Sequence, residues 1–123
     1  MSSAGLPRHS VAQQRTLEQI LETELFLLRA LCNGLVHDDE REEVFRMLSI
    51  YNWRGRDHQI VYEVLSRLGA TSPKTIRANL AAELTRKGFP DISVAEYFVT
   101  ENLPQQNYLD LIRALVTNSP LAQ

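Results

Sequence analysis

The sequence predicts an all-α protein, a compact bundle of about six helices. Three observations carry that expectation. Apolar residues recur at steps of three and four along most of the chain, and residues that stop and start helices stand between those runs. No segment alternates apolar and polar residues as a strand would, so the helices must pack on one another.

The first helix is carried by Leu17, Ile20, Leu21, Leu25, Leu28 and Leu31, which fall on one stripe, and Asn33-Gly34 supplies its stop. The run HDDEREEV then places acidic residues where a helix N-terminus favours them. Val44, Phe45, Leu48 and Tyr51 extend an apolar face beyond it, predicting a second helix over 39–51. A connector, Asn52 to Arg56, leads into Ile60, Val61, Val64, Leu65 and Leu68, again at helical spacing and closed by Gly69, for a third helix over 57–68.

Ser72-Pro73 is a strong start signal: the hydroxyl can cap free amides, and proline fits the first helical position without losing a needed donor. Ile76, Leu80, Ala81 and Leu84 continue that helix to Lys87-Gly88, a cationic last turn and a terminating glycine. Ser93-Val94-Ala95-Glu96 has the form of a capping box and predicts a short fifth helix over 94–101. Tyr108, Leu111, Ile112, Leu115 and Val116 define a sixth, ended by Asn118-Ser119-Pro120.

With 123 residues, 44% of them apolar and 23% charged, the chain has the size and composition of one globular domain with a single core. Residues 1–12 are expected to form a flexible arm, 13–118 the domain and 119–123 a tail. The opening residues lack the apolar stretch of a secretory signal, and no run approaches the roughly 18 apolar residues of a membrane span. A lone cysteine, Cys32, within an apolar run fits a reducing compartment, so the expected location is cytoplasmic.

The chemistry of an enzyme is not legible. The five glycines are too dispersed for a phosphate-cradling loop or a dinucleotide fingerprint. His9, His37 and His58 have no partner at metal-ligand spacing, and Cys32 has no evident base. The cluster Asp38, Asp39, Glu40, Glu42 and Glu43 lacks the glycine and ligand spacing of a calcium loop. No catalytic residue, metal or cofactor is therefore expected, and the chain is read as a non-enzyme.

The strongest candidate for a partner-binding surface is Trp53, Arg54 and Arg56, because tryptophan and arginine are enriched in interface hot spots. Its bland counterpart is a tryptophan plugging the junction of two helices. A second candidate is the helix-turn-helix-like segment 60–87, in which Lys74, Arg77 and Arg86 would read DNA from one exposed stripe. A net charge of −2 disfavours nucleic acid, whose binding draws most of its affinity from phosphate neutralisation.

From Leu21 to Val116 the chain also resembles a known family. The run Glu22-Thr23-Glu24-Leu25-Phe26-Leu27-Leu28-Arg29-Ala30-Leu31 is similar to the first helix of the N-terminal helical domain of bacterial replicative DNA helicases. That domain shares its fold with the helicase-binding C-terminal domain of bacterial primases. Val44-Phe45-Arg46-Met47-Leu48 with Trp53 looks like the second helix and its closing aromatic, and Asp57-His58-Gln59-Ile60-Val61-Tyr62-Glu63-Val64-Leu65 is the most telling match. Thr75 to Leu80, Leu84 to Gly88, Ala95 to Phe98 and Tyr108 to Ile112 are similar to the remaining helices. The resemblance implies a protein–protein contact module that connects helicase, primase or loader components in DNA replication. The sequence departs from the family in ending soon after the sixth helix, with neither the assembly hairpin nor the motor domain, and a stand-alone domain of this kind would be a regulator, a phage-type adaptor or a relic with another partner. Homo-oligomerisation is compatible with that reading.

Overall fold

A computed structural model describes residues 16–68, 72–101, 103 and 108–118. The expected arm over 1–12, the stop at Gly69 and the tail over 119–123 lie outside the described residues. The elements are α1 (Leu17–Cys32), α2 (Asp38–Leu48), α3 (Arg56–Leu68), α4 (Pro73–Lys87), a 3-10 turn (Val94–Phe98) and α5 (Tyr108–Asn118). Among the described residues there is no strand, and no helix is long and apolar enough to cross a membrane.

Helix α1 is the centre of the bundle. It packs against α3, α4, α5 and the 3-10 turn, while α2 lies against α5 and α3 against α4. Its sequence explains this position: Ile20, Leu27, Leu28, Ala30, Leu31 and Cys32 are all buried, a wider apolar surface than one stripe would supply. The core closes around it with Val44 and Leu48 from α2, Val61, Val64 and Leu65 from α3, Ile76, Leu80 and Leu84 from α4, and Ile112 and Leu115 from α5.

The helix ends obey local chemistry. Thr16 caps α1 by accepting from the Gln19 amide while the Gln19 side chain accepts from the Thr16 amide, a reciprocal box at 3.1 and 3.0 Å. At the other end Gly34 takes the left-handed conformation, φ +70°, and the Leu35 amide reaches back to the Ala30 carbonyl at 2.9 Å. Helix α4 begins at Ser72-Pro73 and ends at Gly88, φ +104°, with the Phe89 amide bonded to the Leu84 carbonyl at 2.8 Å. These stops match the sequence expectation at both glycines.

The count of six helices is corrected to five α-helices among the described residues. The predicted fifth helix is a 3-10 turn, and Ser93 makes no side-chain cap. The cause lies on α1. Arg29 Nε donates to the Glu96 carbonyl at 2.8 Å and Asn33 Nδ2 to the Tyr97 carbonyl at 3.1 Å, so α1 side chains satisfy groups that would otherwise recruit a further helical turn. Tyr97 is thereby buried against the core.

Candidate functional site

One charged side chain sits inside the apolar face of α1. Glu24 is fully buried, and a carboxylate so placed must find donors or give up its charge. It finds four. Oε2 accepts from the Tyr51 hydroxyl at 2.5 Å and the Arg54 amide at 2.7 Å; Oε1 accepts from the Gly55 amide at 3.0 Å and lies 2.9 Å from His58 Nδ1. Two of these donors are backbone amides at the entry to α3, where the helix dipole also favours negative charge.

Burial alone would raise the Glu24 pKa. The hydrogen bonds from His58, the Arg54 amide, Tyr51 and the Gly55 amide together outweigh it and hold the carboxyl below the usual glutamate range. Tyr51 is pushed the other way, first by burial and then by its bond to the carboxylate, so its phenol stays protonated. An ionised Glu24 only accepts, which makes Nδ1 of His58 the donor. Burial pushes the Cys32 thiol up to about 12, against a weaker opposing pull from Arg41, so at neutral pH it is a core residue and not a nucleophile.

The clamp fixes the loop that carries the predicted partner-binding residues. Trp53 is half-buried, edge-on to Tyr51 at 5.2 Å and tilted against Tyr62 at 5.3 Å, and Tyr62 stacks on Phe45 at 5.8 Å. The ring thus packs the loop against Tyr62 of α3. Arg54 is half-buried with its amide committed to Glu24. Arg56 is exposed and lies over the Phe89 ring at 5.2 Å.

Beside the clamp runs an open groove of about 510 Å3. Leu21, Glu22 and Leu25 of α1 line it together with Gly55, Arg56, Asp57 and His58 at the entry to α3. Gly55 has a packing reason to lack a side chain: a Cβ there would stand 2.5 Å from His58 Nδ1. Gly55→Ala is expected to displace the imidazole or the loop and to cost about 1–3 kcal/mol, measured by urea denaturation.

Comparison with protein-family models, with curated proteins and with solved structures found no match.

The three cations of the DNA-reading alternative are all exposed, but they do not form one stripe. Arg86 stands nine residues after Arg77, about two and a half helical turns, which puts them on opposite sides of α4. Arg77 stacks on Phe98 at 5.0 Å and Arg86 pairs with Glu83 at 2.5 Å. His37 is the exposed N-cap residue of α2, and Asp38, Asp39 and Glu40 fill the first turn of that helix as its dipole favours. Among the described residues no three His, Cys, Asp or Glu side chains are arranged to hold a metal ion.

The sequence reading missed Glu24. Its signal was present: an acidic residue on the same face as Ile20, Leu27, Leu28 and Leu31 is a charge directed into the core, which calls for a buried partner.

Proposed function

We propose that this domain is a non-catalytic docking module that binds another protein through the clamped loop and the groove beside it. The observation that carries the reading is the Glu24 clamp. A carboxylate with four hydrogen bonds, two from the backbone, holds residues 51–58 in one shape, and a preformed surface loses less conformational entropy on association. Trp53 anchors the loop, and Arg54 and Arg56 on it are of the residue type enriched in binding hot spots. The resemblance to the helicase and primase docking domains supplies the class of partner: a helicase, primase or loader component, or a second copy of this chain.

The test is affinity capture from the source organism's lysate with nuclease present, using the full chain and a Trp53→Ala variant checked for helical content by circular dichroism. Enrichment of helicase, primase or loader subunits, reduced at least tenfold in a folded variant, is the expected result. Recovery of nucleic acid alone, or equal recovery with the variant, would overturn the reading.

A further inference from the structure

We propose that the groove between α1 and the start of α3 receives a cationic amphipathic helix of another protein. Its apolar side chains would rest on Leu21 and Leu25 and its lysines or arginines on Glu22 and Asp57. This rests on the docking reading above and specifies the chemistry of the segment that docks.

The floor and the rim ask for different things. Leu21 and Leu25 are half-buried, so a partner's apolar side chain can complete their removal from water. Glu22 and Asp57 are both exposed on the rim, and among the described residues no cation stands within ion-pair distance of either. Among the described residues Arg56 is the one cation lining the groove, and its guanidinium lies over the Phe89 ring.

An acidic segment laid here would set like charges against each other, and a purely apolar one would desolvate carboxylates without pairing them. A segment with apolar residues flanked by lysine or arginine satisfies both floor and rim. Helical geometry suits it because α1 repeats the pattern one turn earlier: Leu17, 56% exposed, and the exposed Glu18 stand four residues before Leu21 and Glu22. A partner helix running along α1 therefore meets the same apolar-acidic pair twice.

The experiment is a fluorescence anisotropy titration of the full chain against a labelled helical peptide of about five turns, with leucines on one face flanked by lysines. A matched peptide carries glutamates in place of the lysines. Saturable binding of the lysine peptide is expected, with no measurable binding of the glutamate peptide and a loss of roughly tenfold or more in the Glu22→Lys/Asp57→Lys variant. Amide shifts in a nitrogen-15 spectrum should map to α1 and the start of α3. Both substituted residues are exposed, so the variant is expected to fold; a spectrum matching the parent's away from the groove verifies that. Equal binding of the two peptides, no saturable binding, or full binding by the charge-reversed variant would overturn the proposal. If the peptide fails while helicase, primase or loader capture survives, the groove chemistry alone is wrong; if both fail, the docking reading falls with it.

Discussion

Glu24→Ala is expected to lower the unfolding free energy by about 3–5 kcal/mol, seen as a large drop in the urea midpoint. The loss comes from the partners left behind. The amides of Arg54 and Gly55, the Tyr51 hydroxyl and His58 Nδ1 all point at the space the carboxylate occupied, and an unpaired buried donor carries its desolvation cost with nothing to offset it. Glu24→Gln keeps the volume and one acceptor oxygen but turns an NH2 toward groups that also donate, so its cost should be intermediate. A Glu24→Ala protein within about 1 kcal/mol of the parent would show that the clamp does not hold the fold together.

The same residue sets a pH dependence. Its four hydrogen bonds outweigh the burial that opposes ionisation, so the folded carboxyl releases its proton more readily than the unfolded one. The stabilisation is complete above the ordinary glutamate range and is lost as pH falls through the lower folded value. Stability measured across that acidic window should therefore decline more steeply for the parent than for Glu24→Gln. Parallel curves would remove Glu24 as the cause.

Leu28→Ala is expected to cost about 2–5 kcal/mol in the same assay, against a clearly smaller loss for Leu25→Ala. Leu28 is completely buried in the core on the central helix, so its truncation leaves a cavity from which water is excluded. Leu25 is half-buried at the groove and water can replace its missing methyl groups. Equal losses at the two positions would contradict the central place of α1.

Much of this architecture is written in short-range signals. Thr16 with Gln19, Asn33-Gly34, Ser72-Pro73 and Lys87-Gly88 act within a few residues, and local steric and hydrogen-bonding rules suffice to read the last three. Ser93-Val94-Ala95-Glu96 misleads because its outcome is decided at a distance: the Glu96 and Tyr97 carbonyls are taken by Arg29 and Asn33, 67 and 64 residues away. The candidate site divides in the same way. Trp53, Arg54 and Arg56 stand out by composition, but what fixes them is Glu24, 27 residues before Tyr51 and 34 before His58. Periodicity marks Glu24 as facing inward; only the folded chain names what it meets.

The clamp grips the loop mainly by its backbone. Glu24 binds the amides of Arg54 and Gly55, and an amide is the same whatever side chain its residue bears, proline excepted. The form of the loop is thus separated from the identity of positions 54 and 56, whereas 51, 55 and 58 are tied to their present residues by the phenol, the missing Cβ and the imidazole. Such a division makes the loop a fixed frame whose side chains at 54 and 56 can be exchanged without refolding the domain.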